Sequence, residues 1–336
     1  MITIDGSLGE GGGQILRTSL SLSLITGTPF WIVNIRAKRK KPGLMRQHLA
    51  AVKAAAIIGS AEVEGDNIES MEISFKPGKV RPGKYDFRIG SAGSATLVFQ
   101  TLLPALMIAS EESQLSFEGG THNPFAPPWD FLVKTFLPQI NKMGPTVNTE
   151  LVCPGFYPAG GGKFTASIKP SELTGLELME RGQILDKRVR ALVSKIPLNV
   201  AKRELNTAGN ILDISNDNLV AQGIVNACGP GNVVFVEIES ENITEVFTGF
   251  GERGIPAEMV SRKVAQEVQG YLSANVPVDY HLADQLMVPL AIAGKGSYKT
   301  LPLTEHSRTN LKVIEKFCGC NVCIRELKDT CLVSFG

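Results

Sequence analysis

The chain has 336 residues, of which 43% are hydrophobic and 20% charged, and its formal net charge is +1 at pH 7. A nearly neutral chain excludes a general electrostatic attraction to duplex nucleic acid, so any such contact must come from a local basic patch. The longest apolar run, around 102–109, is too short to cross a bilayer, and the N-terminus leads directly into a predicted strand. We therefore expect a cytoplasmic protein without a membrane segment, large enough for more than one domain.

The first distinctive feature is the glycine-rich turn 9–14, Gly-Glu-Gly-Gly-Gly-Gln, between a predicted strand and a predicted helix. Consecutive glycines let backbone N–H groups approach a phosphate, and a helix N-terminus favours an anion. Glu10 would repel phosphates unless a divalent cation lay between them. The turn is not the dinucleotide-binding fingerprint, because the acidic residue that binds ribose has no counterpart after the next strand.

A span without acidic residues follows, from position 11 to 61, and it includes Gln47 and His48. Its eight basic residues are Arg17, Arg36, Lys38, Arg39, Lys40, Lys41, Arg46 and Lys53. Positive charges usually lie on solvated faces, but here the counter-charges are missing. A triphosphate or a phosphorylated RNA end would complement the span, with Arg36 and Arg39 suited to bidentate contacts.

Three parts of the chain repeat one order of elements: a helix, a strand, a polar loop and a second helix. The first helices are predicted at 14–26, 94–110 and 282–293, and the strands at 30–35, 114–118 and 298–303. The loops are predicted at 36–41, 121–127 and 304–307, and the second helices at 44–58, 129–143 and 309–317. A two-domain protein without repeats is the alternative, but basic or imidazole side chains recur in the same loop.

The third repeat lies more than twice as far from the second as the second lies from the first. The surplus of about 110 residues has the size of a small domain. We expect the third repeat to begin with the hairpin around 155–162. The fold class predicted is α+β, with a large domain of three sheet-plus-two-helix units at 1–180 and 276–336, and a smaller α/β domain at 181–275 inserted in the third unit.

Segment 157–163 reads Tyr-Pro-Ala-Gly-Gly-Gly-Lys and is not a P-loop, because the preceding glycine is absent and Phe164 replaces Ser or Thr. It could bind phosphate or simply form a hairpin turn with positive φ angles. Both interpretations stay open from the sequence.

His306 is the strongest candidate nucleophile among four histidines, because Asp284 lies on the preceding helix of the same unit. A carboxylate there could fix the imidazole tautomer and leave one nitrogen free. The serine-hydrolase motif Gly-x-Ser-x-Gly is absent. From the residues alone we infer a phosphate-handling, nucleotide-using enzyme.

Four of the six cysteines lie near the C-terminus, at 318, 320, 323 and 331. Zinc sites usually present separated pairs of ligands on turns. Here a predicted strand at 321–325 would send Cys320 and Cys323 to opposite faces. We therefore favour a structural or disulfide role over a metal site.

Together, these motifs resemble the RNA 3′-terminal phosphate cyclase family, in the same order from about residue 4 to 317. The matching segments are 9–17, 41–44, 46–48, 90–94, 123–124, 126–128, 155–162, 239–245, 282–286 and His306. The resemblance implies three repeated units with an inserted α/β domain. It also implies that ATP adenylylates a histidine, that AMP passes to an RNA 3′-terminal phosphate, and that the 2′-hydroxyl then closes a 2′,3′-cyclic phosphate.

The resemblance also implies roles for individual residues. His306 would be the nucleophile and Asp284 its carboxylate partner, while Glu10 and Gln100 would bind a divalent metal, Mg or Mn. ATP or the adenylate would be bound by Gln100, Pro127, His281, Arg17 and Arg39. RNA phosphates would be bound by Arg36, Gln47 and His48.

Two positions depart from the family pattern. His281 stands where we expect a tyrosine that covers adenine, so stacking should be weaker. Pro154 stands where we expect a basic residue. The alternatives are an inactive cyclase-like factor of ribosomal RNA maturation, which would lack the nucleophilic histidine, and an enolpyruvyl transferase with a similar architecture. The oligomeric state cannot be deduced from the sequence.

Overall fold

The structure is a computed structural model that describes all residues from Met1 to Gly336. It contains four sheets of four strands each, with nine α-helices between and around them. No helix is both long enough and apolar enough to span a bilayer. The cytoplasmic location expected from the sequence stays a prediction.

The first unit forms a sheet of order β1-β2-β4-β3, in which β1 and β2 are parallel and the other neighbours antiparallel. Its elements are β1 (Ile2–Asp5), α1 (Gly13–Thr26), β2 (Phe30–Val33), α2 (Arg46–Gly59), β3 (Glu62–Glu64) and β4 (Ile73–Lys76).

The second unit repeats this arrangement in a sheet of order β5-β6-β8-β7. Its elements are β5 (Lys84–Arg88), α3 (Ala95–Leu106), β6 (Ser113–Gly119), α4 (Trp129–Phe131), α5 (Leu137–Lys142), β7 (Thr146–Cys153) and β8 (Gly162–Lys169). A π-helical turn, Leu132–Phe136, joins α4 to α5.

The third unit begins with the short strand β9 (Glu177–Leu178) and is then interrupted by an inserted segment. The insert forms a sheet of order β11-β10-β12-β13 with two long helices. Its elements are β10 (Ile184–Ser194), α6 (Leu198–Leu212), β11 (Leu219–Gly223), β12 (Gly231–Ser240), β13 (Thr244–Phe250) and α7 (Ala257–Ala274).

After the insert, the third unit closes a sheet of order β9-β14-β16-β15, with the same pattern of parallel and antiparallel pairs. Its remaining elements are α8 (Tyr280–Ala293), β14 (Gly296–Thr300), α9 (Glu305–Phe317), β15 (Val322–Glu326) and β16 (Cys331–Phe335). The predicted fold class, three repeated sheet-plus-two-helix units with an α/β insertion in the third, is confirmed.

The insertion interrupts the first strand of the third sheet. Leu178 pairs with Tyr298, and after the insert Val278 forms a single parallel bridge to Thr300, two positions further along β14. The expectation that the third repeat begins at the 155–162 hairpin was wrong, since β7 and β8 belong to the second sheet. The domain boundaries 1–180, 181–275 and 276–336 stay a prediction.

The helices of the three units meet around α1, which packs against α2, α3 and α9. Helix α1 is buried along most of its length, and its serines hydrogen-bond to backbone carbonyls; Ser21 Oγ, for example, donates to the carbonyl of Thr101 at 2.7 Å. One hydrophobic core runs through the three units and includes Val233 and Phe235 of the inserted sheet. A smaller core lies between that sheet and helices α6 and α7. The polar ends of the central helices carry the candidate site.

Candidate active site

His306 lies in the first turn of α9, where its position is set by a helix cap. Thr304 is the N-cap, and its hydroxyl accepts a hydrogen bond from the Ser307 N–H at 3.2 Å. The sequence placed His306 in a loop and began the helix at residue 309. That expectation was wrong, because the capping threonine lets the helix begin at Glu305.

Asp284, in α8, orients the imidazole of His306. Its Oδ2 atom lies 3.2 Å from His306 Nδ1, and its side chain is 13% exposed, against 40% for His306. Gln14, at the start of α1, donates its amide to both carboxylate oxygens, at 2.7 and 3.0 Å. This arrangement assigns a proton to Nδ1 and leaves Nε2, which has no hydrogen-bond partner, pointing away from the carboxylate.

The surroundings of His306 raise its pKa above the ordinary value of 6.5. Burial by itself lowers the pKa, but the hydrogen bond and charge of Asp284, helped by the charge of Glu10, outweigh it, while Arg17 opposes the increase. The neutral, nucleophilic imidazole therefore becomes dominant only as the pH rises above that ordinary value.

Arg17 and His48 lie together beside Gly13. Burial lowers the pKa of Arg17 to about 10, so it stays charged at neutral pH. Burial, together with the charges of Arg17 and Arg36, lowers the pKa of His48 to about 3, so this imidazole is neutral. Its Nδ1 accepts the Met45 N–H at 3.1 Å, leaving the proton on Nε2. His48 is thus both a helix-capping group and a candidate donor to phosphate.

Gly13 is required by this arrangement. A Cβ atom added there would lie 2.4 Å from His48 Nε2 and 2.8 Å from an Nη atom of Arg17. The absence of a side chain at residue 13 lets both groups reach the N-terminus of α1, where backbone N–H groups favour an anion.

The glycine-rich turn and the basic loop are neighbours. Arg39 forms an exposed ion pair with Glu10 at 3.4 Å, and Lys38 donates to the carbonyl of Gly9 at 3.4 Å. Arg36 instead donates one Nη atom to the carbonyls of Lys41 and Gly43, at 2.6 and 2.9 Å. Arg36 therefore holds the loop in shape, while the guanidinium of Arg39 remains accessible at its surface.

The second unit adds a series of hydrogen-bonded contacts around the N-terminus of α3. The amide oxygen of Gln47 accepts the Ser94 N–H at 3.2 Å, and Ser94 caps α3. Thr96 donates its hydroxyl to the carbonyl of Pro127 at 2.7 Å, which fixes the proline beside this helix. Gln100 donates its amide to Gln285, the neighbour of Asp284, at 2.5 Å.

His281 is less closely connected to the other candidates. It is exposed in the first turn of α8, with its ring centroid 4.3 Å from that of Tyr280. Asp279 caps this helix by accepting the N–H groups of His281 and Leu282. The imidazole side chain makes no hydrogen bond or ion pair with any other candidate residue.

Most sequence-predicted residues therefore lie in one connected region. Direct contacts or electrostatic coupling join His306, Asp284, Glu10, Arg17, His48, Arg36 and Arg39. Gln100 joins them through Gln285, and Gln47 and Pro127 lie together at α3.

The sequence interpretation missed the buried polar groups that hold Asp284. Besides Gln14, Asn310 of α9 donates to the backbone carbonyl of Asp284 at 3.1 Å and accepts from Thr18 at 2.8 Å. Polar residues on helix faces that are otherwise apolar were the available signal, because buried polar groups normally have partners.

His122, which occupies the corresponding loop of the second unit, has a different environment. Its imidazole is completely buried, with Nε2 2.9 Å from Asp130 Oδ2 and Nδ1 2.8 Å from the Thr121 hydroxyl. Asp130 also pairs with Arg190, which pairs with Glu237 of the inserted sheet. This histidine belongs to a buried network that joins the second unit to the insert.

Two motifs of the sequence remain, segment 157–163 and the cysteines. Segment 157–163 leads from the turn after β7 into the start of β8, with Gly160 and Gly161 at φ angles of 68° and 71°, as expected for a hairpin turn. All six cysteines are free thiols. Cys320 precedes β15, which spans Val322–Glu326. The alternation of side chains along a strand therefore does not determine how Cys320 is oriented relative to Cys323.

Comparison with known proteins gives a consistent result. The family described as "RNA 3'-terminal phosphate cyclase" matches residues 8–324. A protein of that name from Koribacter versatilis is 52% identical over 318 residues, covering 94% of this chain and 90% of the relative. Another, from Pseudomonas fluorescens, is 46% identical over 332 residues, covering 99% and 96%.

Among solved structures, the enolpyruvyl transferase NikO from Streptomyces tendae aligns at 11% identity with a TM-score of 0.40, covering 99% of this chain and 47% of that one. This similarity is too low to support a shared fold or function.

Proposed function

Because this chain belongs to the RNA 3′-terminal phosphate cyclase family, we propose that it uses ATP to convert an RNA 3′-terminal phosphate into a 2′,3′-cyclic phosphodiester. The reaction proceeds through AMP bound covalently to His306. The observation that carries this proposal is the pairing of His306 Nδ1 with Asp284, which leaves Nε2 unpartnered on a partly exposed side chain.

In the first step, Nε2 of neutral His306 attacks the α-phosphorus of ATP, and pyrophosphate leaves. Asp284 stabilises the positive imidazole ring that forms and keeps Nε2 directed outward. In the second step, an oxygen of the RNA 3′-phosphate attacks the same phosphorus and the histidine leaves. The vicinal 2′-hydroxyl then loses its proton and attacks the RNA phosphate, so that AMP departs and the ring closes.

The cationic side chains around the glycine-rich turn supply the phosphate-binding groups. Arg17, fixed beside Gly13, and Arg39, accessible next to Glu10, bind the phosphates of ATP. The groups that bind phosphates of the RNA are Arg36, Gln47 and His48. Of these, Gln47 contacts the start of α3 through the Ser94 N–H. Pro127 covers one face of adenine, with His281 on the other.

A divalent metal, Mg or Mn, fits this region by the chemistry of its donors. No three His, Cys, Asp or Glu side chains form a metal-binding group. Glu10 keeps an exposed carboxylate, and Gln100 uses its amide nitrogen on Gln285, so its carbonyl oxygen remains available. One carboxylate, one amide oxygen and substrate phosphates form a ligand set typical of Mg²⁺. The ion would neutralise charge on the triphosphate.

The test is transfer of label from ATP labelled at its α-phosphate. The wild-type chain should become labelled, and His306→Ala should lose more than about 99% of the label, because the other carboxylate-paired imidazole, His122, is completely buried. His281→Ala is the matched control. It should remain labelled, but a higher ATP concentration should be needed for half-maximal labelling. Labelled His306→Ala would place the nucleophile elsewhere. An unlabelled wild-type chain would favour an inactive relative or an enolpyruvyl transferase.

A further inference from the structure

Two cysteines that the proposed reaction does not use face the same backbone carbonyl. The Sγ atom of Cys153 lies 3.6 Å from the carbonyl oxygen of Gly161, and the Sγ atom of Cys228 lies 3.8 Å from it. The two sulfur atoms therefore cannot be farther apart than the sum of these distances. Cys153 ends β7 in the second unit, whereas Cys228 belongs to the loop between β11 and β12 of the insert.

Gly161 makes this approach possible. Its φ angle of 71° lies in the left-handed region, and a Cβ atom added there would lie 2.6 Å from Cys228 Sγ. Any other residue would place its Cβ atom against the Cys228 thiol. Neither residue is buried, since Cys228 is exposed and Cys153 is partly exposed.

The segments that carry the two thiols are packed directly against each other. Asn226 donates its amide to the carbonyl of Val152 at 3.3 Å. A Cβ atom on Gly229 would lie 2.2 Å from Cβ of Ala159. The two segments therefore approach so closely that only a glycine fits at residue 229. The facing cysteines are thus held together by neighbouring contacts as well as by their own positions.

We propose that Cys153 and Cys228 form a reversible redox-sensitive disulfide that cross-links the second unit to the insert. With glutathione disulfide as the oxidant, the thiolate of exposed Cys228 attacks one of its sulfurs, forming a mixed disulfide and releasing one glutathione thiolate. The thiolate of Cys153 then attacks the Cys228 sulfur and releases the second glutathione. Two protein thiols are oxidised, and one glutathione disulfide is reduced to two glutathione molecules.

Closure brings to bonding distance two sulfur atoms that lie no farther apart than the sum of their distances to the Gly161 oxygen. A disulfide bond is about 2.05 Å long and needs Cβ atoms about 3.8 Å apart. Rotation of the two side chains about the Cα–Cβ bonds, with adjustment of the loop at 226–229, brings the sulfurs together. The product joins segments from two different sheets, so it limits their relative movement.

The experiment uses the full chain, reduced, freed of reductant and exposed to glutathione disulfide. Remaining thiols are alkylated in acid and denaturant, and peptides are analysed by mass spectrometry without reduction. We expect one cross-linked peptide pair containing Cys153 and Cys228, with the mass of two hydrogen atoms lost. Titratable thiols should fall by two from the original six, and dithiothreitol should restore them.

Matched variants separate this pair from the other thiols. Cys153→Ser and Cys228→Ser should each abolish the cross-linked peptide, while Cys331→Ser, which changes a buried thiol of the third unit, should retain it. The proposal is overturned if Cys228 carries glutathione while Cys153 is recovered alkylated. It is also overturned if the disulfide forms only among Cys318, Cys320 and Cys323.

Discussion

At the residue scale, the neighbouring carboxylate of Asp284 affects His306 in two ways. Asp284 fixes the tautomer that exposes Nε2, and the same carboxylate raises the pKa of the ring by stabilising its protonated form. Protonation at Nε2 removes the lone pair that attacks ATP in the proposed reaction. The carboxylate therefore improves orientation but requires a higher pH for full nucleophilicity.

This trade-off predicts how adenylylation depends on pH. In the wild-type chain the rate should rise with pH, with a midpoint above 6.5, because the pKa of His306 is raised. Asp284→Asn keeps a hydrogen-bond acceptor but removes the charge, so the midpoint should fall by about one unit. Single-turnover labelling across a pH series measures both midpoints. An unchanged midpoint would show that Asp284 does not control the protonation of the nucleophile.

Gly13 gives a second prediction at this scale. Gly13→Ala should reduce adenylylation by a factor of about 100 or more, because the methyl group displaces His48 and Arg17 from the start of α1. The matched control is Gly270→Ala in α7, where an added Cβ meets no atom within 4 Å. That change should leave activity intact and increase stability by about 0.5–1 kcal/mol. Labelling and thermal unfolding of both variants provide the measurement.

The sequence could identify the chemistry of these residues but not their partners. His306 and Asp284 were predicted as a pair because Asp284 lies on the preceding helix of the same unit. His48 was assigned to phosphate, yet it also caps α2 through Nδ1, since folding brings Met45 and His48 together at that helix start. Arg36 holds backbone carbonyls of its own loop. Both contacts depend on backbone geometry that side-chain types do not reveal.

At the element scale, a buried ionic network fastens α4 and the π-helical turn to the inserted sheet. Arg190 of β10 bridges Asp130 and Glu237, and Lys134 contacts Glu237 at 2.5 Å. Burial raises the pKa of Asp130, but His122 and Arg190 outweigh it and lower the pKa to about 2. Its contribution to stability is therefore present above its ordinary pKa of 3.8 and is lost as the pH falls toward 2.

Removal of Arg190 should be strongly destabilising. Arg190→Met leaves two buried carboxylates with fewer partners, and the free energy of unfolding should fall by about 3–5 kcal/mol. Arg203→Met, which breaks an exposed pair with Glu258, is the matched control and should change stability little. Guanidinium unfolding at neutral pH compares the two. Equal effects would show that the buried network does not stabilise the junction.

Helices and strands could be predicted where the hydrophobic periodicity of the sequence was strong. They were predicted less well where tertiary contacts determine the structure. Helices α1, α2 and α8 lie within a few residues of their predicted bounds. The 155–162 hairpin was assigned to the wrong repeat, since which sheet a hairpin joins depends on pairing with a distant strand.

At the scale of the whole molecule, the repeat was visible as an order of elements, and the structure gives it a common topology. Each unit forms the same sheet order with one parallel pair. Sequence could predict three units because each has the same succession of helices and strands. It could not predict how the units meet, because packing of α1 against α3 and α9 is decided by complementary shapes of buried faces.

The interrupted strand also has a consequence for how the chain folds during synthesis. Leu178 and Val278 occupy nearby positions along β14, although the whole insert separates them. Closing a flexible loop of that length would cost about 4 kcal/mol in entropy. Since the insert has its own core, we expect it to fold as soon as it leaves the ribosome and to bring its two ends together. The last unit then completes its sheet as if the interruption were a short turn.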